Sequence, residues 1–308
     1  MRILTACLLL RRQSVEVAVA WAGAGGLQEM PVQDNRRVDV DAGLASPLGV
    51  AISANDRATM TMVREAIDSR RLRLAWQPVV LARDPQRVAF HEGLIRVLDP
   101  TGRVIPARDF MGAVESHEIG REIDCAALEM GLAALARHDA LRISVNMSAR
   151  SIGYPRWTRI LKRGLAVGPT IGERLILEIT ESSAMTVPEL VIAFMEDFQR
   201  QGVAFALDDF GSGYTAIRYF KDFFFDILKI DAQFIRNIHR DRDNAALTAA
   251  LISIGKHFEM FTIAEAVETV EEAEHLRALG VDCLQGYLFG APTMRPDFAE
   301  TAGQRKSA

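Results

Sequence analysis

A series of polar residues stands where short β-rich runs end: Glu92, Asn146, Glu178, Asp208, Lys229 with Asp231 two residues on, Glu265 and Gln285. Any one of them, taken singly, reads as a solvated loop residue. Recurrence at strand end after strand end, mostly as acids, is hard to reconcile with that reading. Carboxylates gathered in one pocket cannot all stay ionised unless cations lie between them. Oxygen donors from Glu, Asp and Asn suit a hard cation, Mg²⁺ or Mn²⁺. Two such ions can activate a water and stabilise the leaving oxygen of a phosphoester. The residue types therefore point to metal-assisted phosphoester hydrolysis.

That chemistry requires a fold that brings the strand ends together. Strands are expected over Leu72–Val80, Val88–Val97, Leu141–Met147, Leu175–Thr180, Val203–Leu207, Phe225–Ile230, Phe261–Ala264 and Val281–Leu284. Helical patterns fall between them, at Phe110–Arg137, Pro188–Gln201, Asn244–His257 and Thr269–Leu279. Capping boxes are expected at Thr186 with Glu189 and at Thr269 with Glu272. The alternation predicts an α/β fold, a TIM-type (β/α)8 barrel whose strand ends meet on one face. Only Leu81–Arg87 separates the first two strands, too little for a parallel crossover. Strand one is therefore expected to run antiparallel, making the barrel a variant. On a strand, Glu92, Leu94 and Arg96 share one face, as do Lys229 and Asp231, so both sets are expected to point into the mouth.

The motifs in order are His91-Glu92-Gly-Leu-Ile-Arg96, Val145-Asn146-Met-Ser148, Glu178-Ile-Thr-Glu181, Asp208-Asp209-Phe-Gly-Ser-Gly-Tyr214, Leu228-Lys229-Ile-Asp231, Glu265-Ala-Val-Glu268 and Gln285-Gly286-Tyr287, preceded by Trp76-Gln77-Pro78. Together they resemble the EAL-domain family of cyclic di-GMP phosphodiesterases, over roughly residues 72–294. The resemblance implies hydrolysis of cyclic di-GMP to linear pGpG by two-metal activation of water, with Mg²⁺ or Mn²⁺, two ions per site. It implies that Glu92, Asn146, Glu178 and Asp208 hold one ion. Asp208 would bridge to a second ion held also by Asp209 and Glu265. Lys229 would contact the attacking water as base or electrostatic orienter, with Asp231 close by, and Glu181 would steady the Asp209–Tyr214 loop. Gln77, Leu94, Arg96 and Gln285 would contact the dinucleotide, Arg96 at phosphate. A homodimer and a separate sensor or signalling partner belong to the same implication.

Two positions depart from the family pattern. Gly93 replaces an Ala and faces away from Glu92, so looser packing is expected there rather than a lost ligand. Ala266 replaces a Gly, a substitution that strains the backbone if the position needs φ > 0. The runner-up function is an EAL-like receptor that binds the nucleotide without turnover. A different metal-dependent barrel enzyme, such as an enolate-forming one, rests on fold analogy only.

Other features lend themselves to simpler readings. His91 faces the opposite side of the strand from Glu92 and is expected to be structural. Asp209-Phe210-Gly211 and His239-Arg240-Asp241 imitate kinase triplets in reversed order, without the accompanying Gly-rich loop. The run Phe223–Phe225 is expected to pack against the barrel or a dimer partner. Hydrophobic residues form 49% of the chain and the net charge is −4, which gives no general attraction to nucleic acid. Three widely spaced cysteines, Cys7, Cys125 and Cys283, point to a reducing cytoplasm. Leu4-Thr5-Ala6-Cys7 imitates a lipoprotein box, but the apolar run Ile3–Leu10 stops at Arg11, so neither export nor a membrane anchor is expected. Residues 1–55 read as a poorly structured tail or remnant, 56–71 as a lead-in helix, 72–296 as the barrel and 297–308 as a C-terminal tail.

Overall fold

The computed structural model describes residues 47–211, 221–296 and 298. The chain divides into Met1–Asn55 and Asp56–Ala308. The expectation for residues 1–46 and most of the expected C-terminal tail lie outside the described residues. The first helix, α1, runs Pro47–Asp68, so it starts within the expected 1–55 tail and ends before the expected residue 71. Its Val63 and Ala66 are fully buried against Leu72, Val97 and Phe110.

Strand β1 (Leu72–Leu81) turns through two residues into β2 (Asp84–Leu98), so β2 starts earlier than the sequence suggested. A two-residue turn can join only antiparallel strands. β1 is indeed antiparallel to β2 and also to the last strand, β9 (Cys283–Gln285). Between them run β4 (Ile143–Asn146), β5 (Leu175–Thr180), β6 (Ala204–Phe210), β7 (Ile227–Ile230) and β8 (Phe261–Ala264), each parallel to its neighbours. Pairing of β1 with both β2 and β9 closes a mixed barrel of eight strands, a TIM-type fold. A short β3 (Val104–Pro106), not foreseen from the sequence, adds to the edge of β2.

The strand interiors are continuous apolar runs because both faces are covered. Leu175, Leu177 and Ile179 of β5, for example, pack with Leu128, Leu132 and Trp157 in one core. The expected helix over Phe110–Arg137 is two helices, α2 (Met111–Val114) and α3 (Glu118–Arg137). They are followed by α4 (Pro155–Leu165), α5 (Glu181–Ala184) and α6 (Pro188–Gln199). The last three are α7 (Ala232–Ile235), α8 (Arg242–His257) and α9 (Val270–Leu279). The Thr269–Glu272 capping box forms at α9. The one expected at Thr186 does not. Residue Val187 occupies the N-cap of α6, and the Thr186 hydroxyl donates instead to Ser182 O at 3.1 Å, closing the preceding turn. Among the described residues no helix is long and apolar enough to cross a membrane.

Candidate active site

At the C-terminal ends of the parallel strands Lys229 lies buried, 1% exposed, at the centre of a ring of carboxylates. Its Nζ is 2.7 Å from Glu178 Oε2, 2.7 Å from Glu265 Oε1, 2.9 Å from Asp208 Oδ1 and 3.5 Å from Glu92 Oε2. Parallel register explains the convergence, since Asn146 pairs with Glu178 across β4–β5, and Lys229 with Ile263 across β7–β8. Asn146 Nδ2 donates to Glu92 Oε1 at 2.7 Å, and Gln285 Nε2 donates to Glu92 Oε2 at 2.6 Å. Gln285 Nε2 also reaches Gln77 Oε1 at 3.3 Å.

Alternation along a strand should send Asp208 and Asp209 to opposite faces. The β6–β7 pairing slips between Leu207 and Phe210, and Asp209 takes φ +54°. This bulge lets both neighbours serve one side, as bulges beside active sites do. As a result Asp208, Asp209 and Glu265 each offer an oxygen, all within 4.8 Å of one another. Gly286, past the end of β9 beside β8, packs on the chain just after Glu265. A Cβ there would meet Val267 O at 2.0 Å, so only glycine lets the chain pass with Gln285 in place.

One ammonium cannot neutralise this many acids. Burial would lower the Lys229 pKa, but Asp208, Glu178, Glu265 and Glu92 overcome it and hold the amine charged. Burial and the charge of Glu92 push Glu178 up to about 8 against the pull of Lys229. Burial also raises Glu265 well above the usual carboxylate range, against the pull of Lys229, with Asp208 and Glu92 adding to the rise. Asp209 is pushed up to about 6 by burial and by Asp208. At Glu92 burial acts upward, but Lys229 and the Gln285 and Asn146 amides outweigh it and lower the pKa. Glu178 Oε1 is buried with no hydrogen-bond partner. This all-oxygen donor set, with more acids than one ammonium can balance, fits a hard cation.

The ring opens into a cavity of about 490 Å³, lined among others by Gln77, Glu92, Leu94, Asn146, Asp208, Lys229, Glu265 and Gln285. Of the expected residues, Glu178, Asp209, Glu181, Asp231 and Arg96 do not line it. Asp231 lies past the end of β7, where strand alternation no longer directs its side chain. Instead it caps α7, accepting from Gln233 N at 2.7 Å. Arg96 is half-buried beside β3 and donates to Ile95 O at 2.9 Å. Residue Glu181 sits behind the cavity and accepts from Gly211 N at 3.0 Å, at the start of the loop expected there. The second half of that loop, residues 212–214, lies outside the described residues. His91 packs its ring edge-on to Phe298, centroids 5.2 Å apart, on the outer face. The expected looseness at Gly93 is absent. A Cβ there would sit 3.3 Å from both Ser144 O and Trp76 Cζ3, because the indole has closed onto the strand. Ala266 does occupy the left-handed region, at φ +51°.

Sequence reasoning missed Asp124, Arg236, Glu268 and Tyr287 as cavity-lining groups, although Glu268 and Tyr287 fell inside quoted motifs. Asp124 had a legible signal, an acid on the buried stripe Gly120, Ile123, Ala127, Leu128 of α3. Its Oδ2 accepts from Ser151 Oγ at 2.6 Å and Ser148 N at 3.0 Å, fastening the loop after β4.

A closed mixed barrel with a ring of acids around a buried lysine at its C-terminal face is a TIM-type barrel with a polar site where such barrels keep active sites. The EAL domain family model matches residues 60–292, and the chain belongs to that family. Among curated relatives, the bifunctional diguanylate cyclase/cyclic di-GMP phosphodiesterase MucR of Pseudomonas aeruginosa is 33% identical over 235 residues, 75% of this chain and 34% of the relative. Cyclic di-GMP phosphodiesterase PdeF of Escherichia coli is 30% identical over 239 residues, 76% of this chain and 32% of that protein. The chain thus spans about a third of the length of these relatives. The solved PaMucR phosphodiesterase in complex with c-di-GMP superposes with TM-score 0.67 at 31% identity, covering 77% of this chain and 97% of that one. The FimX EAL domain from Pseudomonas aeruginosa, bound to c-di-GMP, has TM-score 0.71 at 22% identity over 78% of this chain and 98% of that one, a likeness of fold alone.

Proposed function

We propose that this chain is a metal-dependent phosphodiesterase that hydrolyses cyclic di-GMP to linear pGpG. The observation that carries the reading is the convergence of Glu92, Glu178, Asp208, Asp209 and Glu265 around Lys229 in the mouth of an EAL-family barrel. Its relatives' names supply the substrate class. Glu92, Asn146, Glu178 and Asp208 would hold one Mg²⁺ or Mn²⁺, and Asp208, Asp209 and Glu265 a second. When bound, such ions would supply an acidified water and relieve charge at the phosphodiester. Lys229 would contact the attacking water or the oxygen gaining charge, as its base or as an electrostatic orienter. Gln285 holds Glu92 from below, and Gln77, Leu94 and the rim offer contacts to the dinucleotide. Arg96 would turn from Ile95 O to a phosphate, and Asp231 acts through α7. A cytoplasmic location, a homodimer using the exposed Phe224, and a separate sensor complete the proposal.

The test is Lys229→Ala, assayed for turnover with Mg²⁺ and for binding by calorimetry with Ca²⁺. An interaction made mainly in the transition state changes rate more than affinity. Turnover should fall by about a hundredfold or more while affinity changes far less. Parallel loss of both would make Lys229 a substrate anchor. Binding by the unmodified chain without any turnover would establish the receptor reading instead.

A further inference from the structure

Helix α4 is divided sharply between an apolar and a basic side. It buries Trp157, Ile160 and Leu161 and exposes Arg156, Arg159, Lys162 and Arg163. The arginines recur at i, i+3 and i+7, which places them on one face of the helix. This arrangement opposes helix stability. Arg156 is in the first turn, where the helix dipole disfavours cations, and Arg159 and Arg163 repel at i,i+4. Among the described residues none of the four basic groups forms a salt bridge, although the chain as a whole carries net charge −4. The three guanidiniums line a cavity of about 480 Å³ together with Ile160 and a single carboxylate, Glu129 of α3.

From this we infer a second binding site, separate from the barrel mouth, that takes a ligand with clustered phosphates. Three forked guanidiniums against one carboxylate leave an excess positive charge, and guanidinium forks match phosphate oxygens two at a time. The volume admits a diphosphate group with its attached moiety. Free nucleotides and lipid headgroups both carry that chemistry. The barrel mouth shares no lining residue with this cavity.

Calorimetric titration of the full chain with inorganic pyrophosphate, in EDTA at low salt, tests the inference. Without metal the acids of the mouth disfavour anions there, and the heat that the triple variant loses reports on this site. One equivalent should bind, and the exposed-face triple variant Arg156→Gln/Arg159→Gln/Arg163→Gln should bind about tenfold more weakly or worse. Glu129→Gln should tighten binding, since it removes the one repelling charge. Co-sedimentation with phosphatidylcholine vesicles, with and without a phosphoinositide, separates the two sources. Binding of either ligand that the triple variant loses supports the site and identifies its source. Binding of neither, or binding that the triple variant retains, overturns it. Circular dichroism of the triple variant checks that α4 persists.

Discussion

Ala266→Gly should stabilise this protein. Ala266 follows the acidic residue Glu265 at the end of β8 and holds φ +51°, where a Cβ crowds its own carbonyl. An L side chain in that region costs about 1–2 kcal/mol. Glycine removes that cost but returns about 0.4–1 kcal/mol through a freer unfolded chain. The side chain is only half-buried, so losing its methyl subtracts little packing. The net gain is about 0.5–1 kcal/mol, and a domain of this size gains about 2–4 °C in Tm per kcal/mol. Thermal unfolding followed by circular dichroism, in EDTA so that metal linkage is excluded, should show Tm higher by about 1–4 °C. An unchanged or lower Tm would refute the strain argument and show that neighbouring contacts of the methyl outweigh the backbone term.

Glu92→Ala and Asp208→Asn should each lower turnover by about a hundredfold or more, while His91→Ala, altered only on the outer face, keeps most of it. Equal losses in all three folded variants would mean that the facing of β2 has been misjudged. Asp124 is raised by burial from 3.8 to about 6, so the folded state keeps a proton that the unfolded chain releases. Its stability contribution is therefore present below pH 3.8 and declines as pH rises to about 6. Denaturant titrations of Asp124→Asn, which still offers one oxygen to Ser148 and Ser151, should lack that decline, worth up to about 3 kcal/mol. Gly93→Ala should not stabilise, because Trp76 and Ser144 O already fill its space; a loss of up to about 1 kcal/mol is expected in chemical denaturation.

The sequence by itself determined which strands form and what chemistry their ends carry. All eight barrel strands appear near their expected positions, and the short link after β1 was enough to require its antiparallel direction. Strands declare themselves through local composition, and a strand-end acid is visible because a core strand would not choose it. The residues Glu92, Asn146, Glu178, Asp208, Lys229 and Glu265 needed no more than that. Other features were decided only in three dimensions. Alternation cannot bring Asp208 and Asp209 to one side; a bulge does, and bulges arise from pairing between distant strands. Asp231 was expected beside Lys229, but β7 ends one residue earlier, and the carboxylate found the free N–H of Gln233. Thr186 lost its capping role to a competing carbonyl, and Gly93 lost its space to an indole from the paired strand. Asp124 joined the cavity from a helix because barrel closure laid α3 over β4. Each of these outcomes turns on which group best satisfies a free donor or fills an empty volume, and only the packed chain brings such competitors within reach.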